Sequence, residues 1–390
     1  MNATLTPLED VCISINSGGT PSRQQASYWD GGTIPWIKTG ELNDWKVQSI
    51  GEKITEEGLK NSSAKIYAPG TVLIAMYGDG KTITTMGIVD KPSATNQACC
   101  ALVADPRICD PLYLFYALKD RRSGLLNLVV AGAQRNLSVG IIRKFPILLH
   151  SLENQRRIAG ILGAYDDLIE VNRRRIAVLE EMARGLFTEW FTRPRFPGYE
   201  DVAVEETPDG PLPVGWSWVQ LGTLIELIYG KALKADTRQP GDVAVIGSSG
   251  VVGSHNAVLV SGPGIVVGRK GNVGSVIWSS GDFWPIDTTY YVDTELPLPY
   301  IYQLLKRVPF QNTDAAVPGL NRDYALSRMV LVAPSALVQR YGDFAAPIHE
   351  AVTKLEQANA NLAAARDVLL PRLISGQLSV TQAQRELEAA

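Results

Sequence analysis

Histidine occurs only three times in 390 residues and cysteine four times, with Cys99 and Cys100 the one adjacent pair. His150, His255 and His349 are scattered, so they suggest neither a metal cluster nor a histidine-centred triad. Cys12, Cys99, Cys100 and Cys109 all lie in the first half, at spacings that fit no zinc pattern. Their strand-like context reads as buried thiols in a reducing cytoplasm. Long apolar runs are missing too. No stretch of 18 apolar residues and no basic-then-apolar leader occurs, so neither a membrane span nor secretion is expected, and the location expected is cytoplasmic.

Excess charge is also missing. The 37 Lys and Arg against 40 Asp and Glu leave a net charge of −3, which excludes a simple polycationic coat for nucleic acid. Residues 1–150 carry 15 basic and 13 acidic groups, and residues 200–345 carry 10 and 15. A DNA reader built this way must gather its cations on one surface or share phosphate contacts with a partner.

Catalytic patterns fail one by one. Gly80-Lys81-Thr82 ends like a phosphate-binding loop, but the required first glycine is Ala75, and the segment that follows reads as strand. Gly262, Gly264 and Gly268 miss the dinucleotide spacing by one residue. Gly247-x-Ser249 lacks the glycine of a nucleophile elbow, because position 251 is valine. No Asn-Pro-Pro-aromatic or Asp-Pro-Pro-aromatic tetrad of the amino-methylating enzymes occurs. The 45% hydrophobic content nevertheless suffices for two cores.

What the chain does have is repetition. Asn136, Arg143, Leu186, Phe187 and Trp190 match Asn321, Arg328, Leu369, Leu370 and Leu373 at separations of 183 to 185. Ala68-Pro69-Gly70 before one apolar strand matches Gly262-Pro263-Gly264 before another, and Leu8 with Gly18 matches Leu221 with Gly230. So long a period indicates two domains, not a solenoid.

Each copy ends in a heptad seam. In the first, Ile158, Leu162, Tyr165, Ile169, Asn172, Ile176, Leu179, Ala183, Leu186 and Trp190 alternate spacings of four and three. In the second, Ile348, Val352, Leu355, Asn359, Leu362, Arg366, Leu369 and Leu373 do the same. Asn172 and Asn359 would fix register, since a slipped pairing strands an amide. Arg173, Arg174 and Arg175 read as a solvated face. Two seams in one chain most simply pair with each other, antiparallel.

The expected fold class is α+β, with two globular heads of mixed strand and helix separated by two long antiparallel coiled-coil helices in a pseudo-two-fold repeat. The expected boundaries are a first head at 1–150, a helix at 151–193, and an acidic linker at 194–211. A second head follows at 212–344, then a helix at 345–376 beginning at Pro347, and a tail at 377–390. Strands are expected at 71–75, 86–90, 98–103, 243–246, 264–268, 275–278 and 289–292, and short helices near 111–120 and 298–306. Between them lie polar loops at 17–22, 77–82, 247–256 and 268–275, the kind of segment that carries recognition residues.

Three stretches carry a resemblance. GGTPSR with YW and IPWIKTGEL (18–42), RNLSVGIIRKFPILLHSLENQRRIAGIL (135–162) and LLPRLISGQL (369–378) resemble the specificity (S) subunit of type I restriction-modification systems. The second copy departs from this pattern: Val-Ala-Val-Ile-Gly-Ser-Ser replaces the IPWIKTG run, and Asp287-Thr288-Thr289 stands in for Asn96-Gln97-Ala98.

The resemblance implies two target recognition domains that each read half of a bipartite site on double-stranded DNA. It implies paired helices that set the spacer and dock two methyltransferase subunits, with restriction (translocase) subunits joining in some complexes. S-adenosylmethionine, ATP and magnesium would belong to those partners, with no cofactor and no catalysis in this chain. On loop position, the candidates for DNA contact in the first head are Thr20, Ser22, Arg23, Lys38, Tyr77, Lys81, Thr82 and Arg135. In the second they are Lys231, Ser248, Ser249, His255, Arg269, Lys270, Asn272 and Arg322. Base-edge recognition calls for such side chains: Arg or Lys for guanine, Asn or Gln for adenine. Competing readings are a self-contained methyltransferase or nuclease, a coiled-coil scaffold with peptide-binding heads, and the specificity subunit of a fused system cutting on both sides of its site.

Overall fold

The computed structural model describes residues 3–78, 82–131, 136–208, 210–310 and 319–388. The chain divides into two compact units, Met1–Val171 with Ala358–Ala390, and Asn172–Gln357.

The head of the first unit runs β1 (Thr4–Pro7), α1 (Leu8–Val11), β2 (Cys12–Ser17), β3 (Ile34–Ile37), β4 (Lys46–Val47), β5 (Lys53–Ile54), α2 (Glu56–Lys60), β6 (Val72–Ala75), β7 (Met86–Val89), β8 (Ala94–Thr95), β9 (Cys99–Ala104), α3 (Pro111–Asp120), α4 (Arg122–Ala131), α5 (Val139–Lys144) and β10 (Pro146–Leu149). The long helix α6 (Leu152–Phe187) leads into the second unit. There the order is β11 (Val204–Thr207), β12 (Gly210–Pro213), β13 (Ser217–Gln220), β14 (Glu226–Tyr229), β15 (Val243–Gly247), β16 (Gly250–His255), β17 (Gly264–Gly268), β18 (Val276–Ser279), β19 (Phe283–Pro285), β20 (Thr289–Asp293), α7 (Leu298–Leu305), α8 (Arg322–Leu326) and β21 (Met329–Val332). Helix α9 (Ser335–Ile374) returns to the first unit, and α10 (Val380–Glu388) closes the chain.

The two heads share one topology. The main sheet contains the four-strand antiparallel order β2-β9-β6-β7 in the first and β14-β20-β17-β18 in the second, and the first head adds β4 as a fifth, edge strand parallel to β7. A small sheet, β5-β3-β8 or β16-β15-β19, has one antiparallel and one parallel pair in both. A two-stranded ladder, β1-β10 or β13-β21, closes each head. Single hydrogen bonds repeat as well. The Gly18 amide donates to the Cys99 carbonyl and the Gly230 amide to that of Thr289, both at 3.1 Å.

These equivalences correct two sequence alignments. Leu137 donates to Met76 and Leu320 to Arg269, while Ser138 and Asn321 each cap the next short helix. Ser138, not Asn136, therefore matches Asn321. Likewise Asn96 donates to Ile37 and Ile286 to Ile246, so Gln97 is the counterpart of Asp287. Capping needs only a short side-chain oxygen, so Ser and Asn exchange freely.

In the first unit the head and the helix segments share one core. Tyr113, Tyr116 and Leu114 of α3 are buried with Ile158 and Leu162 of α6 and Leu370, Leu373 and Ile374 of α9. Asp110 sets α3 by accepting from the amides of Leu112 and Tyr113, both at 3.0 Å, with Pro111 at the first helical position. Buried between the helices, Asp166 pairs with Arg366 and accepts from Tyr116 Oη at 2.6 Å. His150 Nε2 lies 2.9 Å from the Ile374 carbonyl. As the chain rises from His150 into α6 at Asp166, its partner falls from Ile374 to Arg366, so the segments run antiparallel.

The second unit has its own core, in which Phe187, Trp190 and Phe191 pack with Tyr300, Tyr341 and Leu337. Tyr341 Oη donates to the Ala183 carbonyl at 3.0 Å, and Trp190 meets the Phe344 ring edge-on. Glu180 lies near Glu356, so this segment too is antiparallel. Every seam position named from the sequence is buried or half-buried in its own unit, from Ile158, Leu162, Tyr165, Ile169, Asn172, Ile176, Leu179 and Leu186 to Ile348, Val352, Leu355, Asn359, Leu362 and Leu369. Neither Asn172 nor Asn359 is free of a partner.

Three expectations need correction. Helix α9 begins at Ser335, not near Pro347, because Leu337, Val338, Tyr341 and Ala345 bury a full face in the head and outweigh the missing Pro347 amide. The acidic linker contains a hairpin, with β11 paired to β12. The first long helix ends in a π-helical turn, Thr188–Thr192, ahead of Pro194. All four cysteines are free thiols, and burial pushes Cys12, Cys100 and Cys109 up to about 12. No helix among the described residues is long and apolar enough to cross a membrane.

Candidate nucleic-acid interface

The first head's glycine loop is fixed by backbone contact. A Cβ on Gly18 would strike Thr95 Oγ1 and the carbonyls of Thr95 and Asn96, and one on Gly19 would strike Ser63 and Ala64. Trp36 Nε1 donates to the Gly19 carbonyl at 2.9 Å. The second head makes the same bond from another strand, with Trp284 Nε1 on β19 donating to the Lys231 carbonyl at 3.0 Å. Gly18, Gly19 and Trp36 of these motifs thus hold the loop in place.

Several candidates in the first head are already engaged. Thr20 Oγ1 bonds Gln97 Oε1. Arg23 Nη1 and Lys38 Nζ reach the two oxygens of Glu52 at 2.5 and 2.6 Å, and the Arg23 guanidinium stacks 3.6 Å from the Trp29 ring centre. Hydrogen bonds from Arg23 and then Lys38 hold the Glu52 carboxyl below its ordinary value, and the Glu52 bond raises Lys38. These two cations form a partly neutralised cluster that sequence reasoning missed, because Glu52 lies 29 and 14 residues away from them. Ser22 and Tyr77 are exposed, and Thr82 is half-buried beside Gly78. Lys81 and Arg135 lie outside the described residues.

The second head gathers its candidates more tightly. Ser248 Oγ accepts the Asn272 amide at 3.3 Å, and the Ser248 carbonyl accepts Ser275 Oγ at 2.6 Å, which ties the β15–β16 turn to the loop after β17. The Arg269 and Lys270 amides both donate to the Thr288 carbonyl. Ser249, Lys270, Asn272 and Lys231 are exposed, while Arg269 is half-buried, donating to the Asp287 carbonyl at 3.1 Å. Arg322 sits half-buried at the first turn of α8.

His255 belongs elsewhere. It pairs with Val243 at the far end of the hairpin, is buried against Trp284, and its Nδ1 accepts the Gln239 amide at 3.1 Å. With its ring packed on Trp284 and its Nδ1 engaged, His255 stands apart from the cluster formed by Ser248 and Asn272. Arg238 is an addition, donating to the Val252 carbonyl at 2.7 Å. A lone arginine in a polar loop gave no signal for that brace. Among the described residues no group of His, Cys, Asp and Glu is placed to hold a metal ion.

The model of the family described as type I restriction modification DNA specificity domain matches residues 4–181. The chain is similar to the type I restriction enzyme MjaIX specificity subunit of Methanocaldococcus jannaschii, 24% identical over 400 residues that cover 94% of this chain and 92% of that one. It is also similar to the MjaVIII specificity subunit of the same organism, 31% identical over 203 residues, 52% of this chain and 45% of that one. Among solved structures, the S subunit of a type I restriction-modification system from M. genitalium has the same fold, with a TM-score of 0.61 at 16% identity over 96% of both chains.

Proposed function

The chain belongs to the specificity subunits of type I restriction-modification systems, non-catalytic components of DNA recognition, and on that premise we propose that its two heads read the two halves of a split DNA sequence. The observation that carries the split is the repeated topology. One four-strand order occurs twice in the chain, but the loops at equivalent strand ends differ, with Gln97 matched by Asp287 and the Ile34-Pro35-Trp36-Ile37 strand by Val243-Ala244-Val245-Ile246. Like scaffolds with unlike loops suit two different half-sites.

The helix segments are the proposed docking surface for two methyltransferase subunits, with restriction subunits joining the assembly. Exposed Leu168 and Val171 in the first unit, and exposed Val178 and Met182 in the second, each give such partners apolar area to cover. S-adenosylmethionine, ATP and magnesium would be bound by those subunits, and the complex would work in the cytoplasm. The near-neutral charge of this chain fits a reader whose partners share the phosphate contacts.

The test is selection of bound duplexes from a random library by the chain assembled with its methyltransferase partners. Two short conserved blocks with a fixed unread gap are expected. Replacing the exposed Lys270 and Asn272 by Ala should relax one block and leave the other intact. Equal loss in both blocks would refute separate readers.

A further inference from the structure

The two heads differ most at the tip of the small sheet. In the first, β3 and β5 are joined by residues 38–52, which fold back into the head. There β4 pairs with β7, Trp45 is buried, and Asp44 accepts from Arg122 and from the Met86 amide. In the second, β15 and β16 are joined by Ser248 and Ser249 alone, with Gly247 paired to Gly250. Nothing folds back.

The consequence is a projecting ribbon. β16 is the edge of its sheet, and Val251, Val252, Gly253 and Ser254 are exposed in succession. A strand lying on a core alternates buried and exposed positions, so β16 does not lie on a core from Val251 to Ser254. Val251 is 67% exposed and Val252 39%, an unfavourable setting for adjacent apolar side chains unless a partner covers them.

The ribbon is also stiffened. The register shifts between Val245 and Ile246, leaving Val252 as the extra residue of a bulge, a device that bends and re-aims a strand. Arg238 donates to the carbonyls of Val252 and Leu233, and Gly253, at φ +148°, leaves room for that guanidinium. Asn272 is tied to the turn through Ser248, and the exposed Lys270 belongs to the same loop, its amide held by the Thr288 carbonyl.

We propose that the β15–β16 tip enters the DNA major groove and that Val251, backed by Val252, selects thymine through its C5 methyl. The proposal rests on the DNA-reading function above and names a residue that sets the second head's half-site. A major groove about 12 Å wide admits a two-stranded ribbon, and the thymine methyl is the apolar feature among its base edges. The neighbouring Lys270 and half-buried Arg269 supply positive charge where the flanking phosphates would lie. The first head, whose equivalent segment is folded back, has no such ribbon.

The experiment uses the full chain with its methyltransferase partners and duplexes carrying its selected site, with thymine replaced by uracil at each position in turn. At one or two positions of the second half-site, uracil should weaken binding by roughly four-fold per methyl lost from contact. Val251→Ala should erase that thymine–uracil difference, and Val251→Thr, which keeps one methyl, should retain part of it. Both variants should keep the wild-type penalty for scrambling the first half-site; this also shows that the chain has folded. A second half-site without thymine, indifference to uracil in the wild type, or undiminished discrimination in Val251→Ala would each overturn the proposal. A complex that selects no two-part site would instead overturn the functional reading beneath it.

Discussion

Removing the Arg366 guanidinium tests how the first head is fastened to its helices. Arg366 and Asp166 form an ion pair whose side chains are 12% and 5% exposed, too deep for solvent to screen it. Arg366→Met leaves the Asp166 carboxylate buried with only the Tyr116 hydroxyl as a strong donor. Breaking a buried pair from one side costs about 3–5 kcal/mol, and the surviving Tyr116 bond argues for the lower end. For a unit of roughly 200 residues, at about 2–4 °C per kcal/mol, melting should fall by about 6–12 °C.

The assay is calorimetry of the full chain, with the second unit's transition as an internal reference. Asp166→Leu combined with Arg366→Met and Tyr116→Phe removes the three buried members of the network, leaving only the exposed Asp367 that also pairs with Arg366, and should recover most of the loss, because apolar replacements of buried pairs are often neutral. A shift below about 2 °C for Arg366→Met would refute the reasoning. So would a triple variant no more stable than the single one.

Other outcomes follow from single contacts. Gly18→Ala pushes a methyl into the Thr95 and Asn96 backbone, so the first block of the recognition site should relax while the second survives, as read from library selection. Glu52→Gln frees Arg23 and Lys38; the slope of log affinity against log salt for non-specific DNA should steepen by about 0.9 per phosphate newly contacted, and an unchanged slope would contradict that role. His349 stacks on Trp278, and burial with Lys306 nearby pushes its imidazole down to about 4. Because the folded value lies below the unfolded one of about 6.5, its contribution is complete above that pH and is lost as pH falls toward 4. Thermal melting in this window should show the second unit weakening by up to about 3 kcal/mol, and His349→Phe should flatten the curve.

Much of the scaffold was legible because burial imposes period. Strands β6, β9 and β17 are apolar runs buried on both faces, and the heptad positions of α6 and α9 fall on the covered side in each unit. The start of α9 was hidden because Pro347 imitates a helix start, while the burial of Leu337 and Tyr341 that decides the matter is tertiary. The repeat was visible as a pattern, but its register was not, since Ser138 and Asn321 share a cap and not an identity.

The candidate site was less legible. Polar loops at the strand ends supplied the candidates, yet nothing local says that Glu52 neutralises Arg23 and Lys38, or that His255 is folded against Trp284. Residues Ser248, Lys270 and Asn272 were named as separate loop candidates and prove to be one cluster. Arg238 gave no signal at all, because its importance lies in a backbone carbonyl that only a bulged strand presents.

The most direct measurement of the central claim is the methylation pattern of DNA in cells carrying this chain with the methyltransferase partners proposed for it. The account requires every modified site to hold two short unlike blocks at one constant separation, lost when the chain is deleted. Modification at a single unbroken block, or at two blocks whose separation varies from site to site, would contradict it.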